Sequence, residues 1–168
     1  TVKGELVGWD EEHDLALVRA DEVEAPPLQW GSPETLRPGT PVALIGRCPD
    51  PRTPTLAIGV VSALARRRDG SCLQVDAAMN YGTSGGPLVD EAGRVLGLCA
   101  FVDDRAIFSH NSGVGYCVRS ELLRELVPRM ASGERIDRTP EPYLGVQAAE
   151  GALDVEGAVI GTVFPNTA

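Results

Sequence analysis

A serine flanked by glycines occupies the most chemically informative stretch of the sequence, Gly82-Thr83-Ser84-Gly85-Gly86-Pro87. Glycine permits positive φ angles and close approach of a ligand to the main chain. Such a turn can expose the Ser84 hydroxyl and aim the amide N–H groups of Gly82 and Ser84 at one point. Acyl transfer needs this arrangement, because the oxyanion that forms on the attacked carbonyl must be stabilised. A glycine-rich hairpin turn is the alternative interpretation of a bare GxSGG pattern.

The longer segment 76–88, DAAMNYGTSGGPL, resembles the nucleophile segment of trypsin-like serine proteases of the HtrA/Deg family. In that family the pattern reads DAAIN-x-GNSGGPL, so Met79 and Thr83 are the departures. The resemblance implies a serine endopeptidase that cleaves unfolded or exposed polypeptides, with Ser84 as nucleophile. It also implies that Gly82, Thr83 and Ser84 line the oxyanion hole. Because position 83 is not an aspartate, activation by a freed N-terminus is not expected.

A second segment, Glu11-Glu12-His13-Asp14-Leu15-Ala16-Leu17, resembles the D-[IL]-A-L strand of the same family. There the aspartate orients the catalytic imidazole, and the matching residue is Asp14. A carboxylate directly before an apolar strand is expected to be partly buried and to need a partner, since an unpaired buried charge is costly. An exposed turn aspartate at the start of a strand is the alternative.

The histidine of the triad is harder to place. Trypsin-like enzymes carry His, Asp and Ser in that order along the chain, and only His13 precedes Asp14. Neighbours on a strand point to opposite faces, so these two cannot easily form the triad bond. His110 follows Ser84, and both histidines are expected to be solvent-exposed. We therefore expect a fragment whose catalytic histidine lies upstream of Thr1, and which is inactive alone.

The resemblance also extends to substrate recognition. Ala78, six residues before Ser84, aligns with the floor of the primary specificity pocket. An alanine there cannot pair with a substrate lysine or arginine, which implies cleavage after small or medium apolar residues. The other implied substrate-binding residues lie on the strand that pairs with substrate and on the far wall of the pocket: Ala100, Phe101, Val102, Gly113 and Gly115.

Short apolar runs separated by turn signals predict a β-sandwich or barrel. A turn is predicted at Gly8-Trp9-Asp10, and a hairpin is predicted from Leu56–Leu64 and Ser71–Val75. A helix is predicted to begin after an N-cap at Ser120 and to end or kink at Pro128 and Gly133. The other predicted strands cover residues 1–7, 14–18, 42–46, 89–90, 95–102 and 113–118, with 143–146 and 157–160 after the linker.

With the resemblance, the expected fold class is all-β: a trypsin-like double β-barrel whose N-terminal barrel is incomplete, with a C-terminal helix. The expected domains are a protease domain over 1–132, a charged, proline-bearing linker over 133–142, and the start of a PDZ-like domain over 143–168. In that PDZ-like part, Leu144, Gly145 and Val146 match the loop that binds a peptide carboxylate.

Composition narrows the function classes further. The net charge of −9 argues against nucleic acid as a partner, and no apolar run reaches the roughly 20 residues of a membrane span. The sequence shows no cluster of potential metal-ligating residues, so no metal or cofactor is expected. The four cysteines lie in apolar contexts, which favours buried free thiols over disulfides. The family implies polypeptide substrates, a homotrimer and a periplasmic or otherwise extracytoplasmic location. A non-catalytic scaffold or PDZ-type peptide-binding protein is the alternative function.

Overall fold

The computed structural model describes residues 2–21, 23–47, 53–66, 69–79, 82–102, 113–138, 146–148 and 160–163. The chain divides into two compact units, Thr1–Asp137 and Arg138–Ala168. This division lies inside residues 133–142, the stretch predicted as a linker. None of the helical segments among these residues has the length and apolar character that crossing a membrane requires.

Six antiparallel strands of the first unit close into a barrel, in the order β3-β4-β5-β8-β7-β6. Pairing between β3 and β6 closes the ring, with Ala43 opposite Val89. The hairpin predicted on either side of the arginine-rich tip is confirmed as β4 and β5. The barrel strands are β3 Pro41–Gly46, β4 Thr55–Arg66, β5 Cys72–Val75, β6 Pro87–Val89, β7 Val95–Val102 and β8 Gly115–Arg119.

The barrel interior is filled by aliphatic side chains, as expected for a chain with only 5% aromatic residues. Alternate residues along β3 point inward, so Val42 and Leu44 are buried while the residues between them are less so. These side chains form one core cluster with their counterparts on the other strands. Its fully buried members include Leu44, Val61, Leu73, Val75, Leu88 and Leu96. The Ser84 loop therefore stands on a rigid, well-packed support.

A three-stranded sheet, in the order β2-β1-β9, accompanies the barrel. Its strands are β1 Glu5–Asp10, β2 Leu15–Arg19 and β9 Arg135–Ile136. The turn predicted at Gly8-Trp9-Asp10 is wrong, because all three residues belong to β1. Gly8 is required by close packing, since a Cβ there would lie 2.5 Å from the carbonyl oxygen of Met130. The turn itself spans residues 11–14.

The one α-helix of the described residues, α1 Ser120–Ala131, packs on both the barrel and the three-stranded sheet. Leu123, Leu126 and Met130 are buried against Leu15 of β2 and Val118 of β8. The prediction of an N-cap at Ser120 is wrong: Ser120 is the first helical residue. Arg119 is the N-cap residue, and its side chain makes no capping hydrogen bond. The helix continues through Pro128 and ends at Ala131. The helix therefore joins the sheet to the barrel through apolar contacts.

The second unit contains one described antiparallel pair, β10 Val146–Ala148 and β11 Ile160–Val163. Val146, a predicted carboxylate-binding residue, is the first residue of β10. Leu144 and Gly145 lie outside the described residues. The domain assignment stays a prediction.

Candidate active site

Ser84 lies on the loop between β5 and β6, at the surface of the barrel. Gly82 and Gly85 have φ angles of +90° and +76°, which glycine adopts at little cost. The Ser84 side chain is exposed, and its Oγ donates a 3.5 Å hydrogen bond to the carbonyl oxygen of Ala100. The nucleophile candidate is therefore accessible and lies beside β7.

Backbone hydrogen bonds fix this loop to β7. The Gly85 N–H donates to the Cys99 carbonyl at 2.8 Å, and the Cys99 N–H donates to the Gly86 carbonyl at 2.8 Å. The Thr83 side chain is buried, and its Oγ1 accepts a 3.8 Å bond from the Cys99 thiol. Thr83, one of the two departures from the family pattern, is therefore buried under the turn and supports it through its contact with Cys99.

The amide groups of the same loop provide the candidate oxyanion hole. Within the described part of the chain, neither the Gly82 N–H nor the Ser84 N–H donates a hydrogen bond to another residue. The Gly82 carbonyl is held by the Arg47 N–H at 2.7 Å, which fixes the orientation of that peptide. Two donors on a held backbone, next to an exposed hydroxyl, can stabilise negative charge on an attacked carbonyl.

Asp14 is the last residue of the β1–β2 turn and has a φ of +56°. The prediction that its carboxylate is partly buried is wrong, because the side chain is exposed. Leu15, the first residue of β2, is buried, whereas Asp14 belongs to the turn before the strand, where its positive φ sets the direction of the side chain. Asp14 comes from the three-stranded sheet and Ser84 from the barrel, and no hydrogen bond among the described residues joins them directly.

The prediction that His13 is solvent-exposed is also wrong. Its side chain is only 11% exposed, with Nδ1 2.8 Å from Oδ2 of Asp10 and Nε2 3.2 Å from Oδ2 of Asp69. Since both ring nitrogens lie against carboxylates, the ring offers neither to the Ser84 hydroxyl. His110 lies outside the described residues. Sequence reasoning missed Asp10 and Asp69, although the spacing Asp-x-x-His was the available local signal for the first.

Hydrogen bonding at this cluster favours the ionised form of Asp69 and fixes the side chain of Asp10. Burial alone would raise the pKa of Asp69, but hydrogen bonds from the side chain and the backbone of Ser71, together with the His13 ring, lower it below its usual value. Asp10 is fully buried, and its Oδ1 accepts the backbone N–H groups of Glu12 and His13 at 2.8 and 3.1 Å. The cluster therefore holds the turn that ends at Asp14.

A family model described as the trypsin-like peptidase domain matches residues 1–98, which include both Asp14 and Ser84. The chain belongs to the trypsin-like peptidase family. The solved structure of HtrA-type protease AlgW with decapeptide superposes with a TM-score of 0.71 at 28% identity, over 99% of this chain and 54% of that one. The predicted all-β, trypsin-like fold is thereby confirmed.

Curated relatives of this trypsin-like peptidase carry HtrA/Deg names, which confirms the predicted resemblance. The putative serine protease HhoA of Synechocystis is 29% identical over 99% of this chain and 47% of its own length. Protease Do-like 1, chloroplastic, of Arabidopsis thaliana is 31% identical over 89% and 35%. A probable periplasmic serine endoprotease DegP-like from Marinomonas is 31% identical over 96% and 36%. The chain thus spans half or less of the length of these relatives.

The predicted substrate-binding residues of the peptidase lie on both sides of the Ser84 loop. Ala78 is exposed between the buried residues Ala77 and Met79. Gly115 begins β8, and a Cβ there would lie 2.0 Å from the sulfur of Met79. Ala100, Phe101 and Val102 end β7, with Val102 opposite Gly115, and Gly113 is exposed just before β8 with a φ of +72°.

The peptidase core also holds three free thiols, Cys72, Cys99 and Cys117, all buried. This confirms the prediction of buried thiols for these three, while Cys48 lies outside the described residues. Cys99 and Cys117 face each other across β7 and β8. A hydrogen bond between the two thiols lowers the pKa of Cys99 and, together with burial, raises that of Cys117. No group of three or more metal-ligating side chains occurs among the described residues.

Proposed function

We propose that the full-length protein is an HtrA-type serine endopeptidase that cleaves unfolded or exposed polypeptides. One observation carries this proposal: the exposed Ser84 hydroxyl stands on a loop fixed to β7, beside backbone N–H groups that have no partner among the described residues. The names of its curated relatives support the same conclusion.

The reaction follows from these groups. A histidine from outside the described residues removes the proton from Ser84 Oγ as the oxygen attacks the scissile carbonyl. The N–H groups of Gly82 and Ser84, with that of Thr83, receive the oxyanion. The same histidine then protonates the leaving amine, and water hydrolyses the acyl-enzyme by the reverse sequence. Asp14 holds the imidazole in the productive orientation and stabilises its charge.

Substrate is proposed to bind as an added strand on the free edge of β7. Pairing with β6 ends at Leu98, while β8 continues to cover the other edge as far as Val102. An extended peptide can therefore hydrogen-bond to Ala100–Val102, with its scissile carbonyl at Ser84, whose Oγ is 3.5 Å from the Ala100 carbonyl. Ala78, with Gly113 and Gly115, forms a pocket for small apolar side chains. A peptide-library digest in which arginine or lysine is preferred at the cleaved bond would contradict this pocket.

The proposal includes three further features: the location of the protein, its oligomeric state and a second peptide-binding region. The periplasmic name of one relative supports an extracytoplasmic location, and the family resemblance supports a homotrimer. The family resemblance also supports peptide capture by the region 143–168 through Leu144, Gly145 and Val146.

The decisive experiment compares casein cleavage by full-length wild type, Ser84→Ala and Asp14→Asn. We expect a loss on the order of 10⁶-fold in kcat for Ser84→Ala and about 10⁴-fold for Asp14→Asn. Glu5→Gln, which alters an exposed ion pair with Arg19 on the same hairpin, is the control and should cleave normally. A wild-type protein that binds casein without cutting it would favour the non-catalytic scaffold.

A further inference from the structure

The structure contains a charge-bearing bridge between the three-stranded sheet and the barrel. His13, in the β1–β2 turn, contacts Asp10 at the end of β1 through Nδ1 and Asp69, which follows β4, through Nε2. The distances are 2.8 and 3.2 Å, and the ring is 11% exposed. The ring is more enclosed than the exposed Glu5–Arg19 ion pair of the same hairpin, and the bridge runs from the buried Asp10 to Asp69, whose side chain is 45% exposed.

Hydrogen-bond chemistry decides how many of these contacts the ring can make at once. A carboxylate only accepts hydrogen bonds, and a neutral imidazole carries a single N–H. A doubly protonated ring, with an N–H on each nitrogen, can donate to both carboxylates. The Asp10 side chain has no exposed surface, and its other oxygen, Oδ1, accepts the backbone N–H groups of Glu12 and His13.

The bridge has charged neighbours on two further elements. The pKa of the Arg129 guanidinium on α1 is raised, chiefly by its hydrogen bond with Glu134 and to a smaller extent by neighbouring carboxylates that include Asp10. Arg119, at the end of β8, donates a 3.4 Å bond to the backbone carbonyl of Gly70, the residue after Asp69. Among the described residues, His13 is the side chain that contacts both Asp10 and Asp69.

We propose that His13 is a positioning residue that fixes Asp14 relative to the Ser84 loop. Asp14 follows His13 directly, in a turn whose backbone is held by Asp10. Asp69 leads into β5, the strand that ends just before the Ser84 loop. The His13 ring thus ties the turn carrying the triad carboxylate to the barrel that carries the nucleophile. The inference rests on the proposed function, because it assigns His13 an effect on catalysis through Asp14.

The test measures kcat and KM on a short peptide substrate for full-length wild type, His13→Gln, Asp69→Asn and the double variant. A displacement of about 1 Å in a catalytic group can cost 10²-fold in rate, so we expect each single variant to lose about tenfold in kcat with little change in KM. The double variant should lose no more kcat than His13→Gln alone, because both substitutions remove the same His13–Asp69 contact. Glu5→Gln should match wild type.

The split between kcat and KM, measured beside the Tm of each variant, separates positioning from a merely structural role. Lost positioning lowers kcat in folded protein and leaves KM unchanged, whereas general destabilisation lowers Tm and the fraction of active protein. A loss confined to KM, a loss that follows Tm, or additive effects in the double variant would overturn the inference. Should His13→Gln fail to fold, Asp69→Asn, at an exposed position, tests the same bridge.

Asp14→Asn, measured in parallel, distinguishes failure of the His13 bridge from failure of the proposed catalytic triad. A large loss for Asp14→Asn with normal kcat for His13→Gln and Asp69→Asn refutes the bridge alone. Full activity of Asp14→Asn refutes the triad assignment and the inference with it.

Discussion

Replacing Gly86 with alanine tests how tightly the barrel fixes the Ser84 loop. A Cβ at position 86 would lie 2.0 Å from the carbonyl oxygen of Ile45 and 2.9 Å from that of Thr83. Cβ atoms do not occur within 3.0 Å of such neighbours, so the loop or β3 must move by about 1 Å. Both neighbours are backbone atoms, which cannot turn aside as a flexible side chain would.

The displacement predicts two separable effects. Overpacking of this kind costs about 1–3 kcal/mol in the free energy of unfolding. A misplacement of about 1 Å at a catalytic group costs about 10²-fold in rate. We therefore expect Gly86→Ala to remain folded but to react with a fluorophosphonate at Ser84 about 10²-fold more slowly than wild type.

Gly93→Ala is the matched control. Gly93 lies in the β6–β7 turn at a φ of +76°, and a Cβ there would meet no atom within 4 Å. This variant should lose about 1 kcal/mol through backbone strain and keep the wild-type labelling rate. Labelling rate and Tm, measured on the same samples, separate reactivity from stability. A folded Gly86→Ala protein that labels at the wild-type rate would refute the reasoning.

Three further predictions follow from the described residues. Leu88→Ala, in the barrel core with no exposed surface, should lower the free energy of unfolding by about 2–5 kcal/mol; a urea titration giving a loss below about 1 kcal/mol would contradict the packing. Burial raises the pKa of Asp90, but bonds from the backbone and side chain of Arg94 and from the Ala92 N–H lower it overall. Its stabilisation is therefore present above the unfolded-state pKa and lost as pH falls through the folded-state pKa. Urea unfolding at pH 3 and pH 6 should show a smaller acid loss for Asp90→Asn than for wild type, and equal losses would contradict this. The three buried thiols should react with iodoacetamide only after unfolding, and these are Cys72, Cys99 and Cys117. Peptide mass spectrometry maps the labelled sites, and rapid labelling of the native protein would contradict their burial.

The sequence predicted those features that depend on local pattern. The hairpin of β4 and β5 was predictable because apolar strands flank a polar tip. The family resemblance of the Ser84 segment was predictable because glycine spacing and neighbouring residues match together. Buried thiols followed from the preference of cysteine for apolar surroundings.

Features set by contacts distant in sequence were not predictable. Gly8 looked like a turn residue, yet it is needed where β1 passes the carbonyl of Met130 at the end of α1. The burial of His13 depends on Asp69, which is 56 residues away in the chain. Asp14 was expected to be partly buried, but its orientation depends on the αL backbone at the end of the turn. For Gly8 and His13 the deciding neighbour comes from another element, whereas for Asp14 the backbone conformation of the turn decides.

The most direct test of the central claim is covalent labelling of full-length protein with a fluorophosphonate, followed by mass spectrometry of the labelled peptide. The account predicts stoichiometric modification of Ser84, no modification in Ser84→Ala, and strongly slowed modification in Asp14→Asn. Folded wild-type protein that leaves Ser84 unmodified, or that labels equally fast without the Asp14 carboxylate, would contradict it.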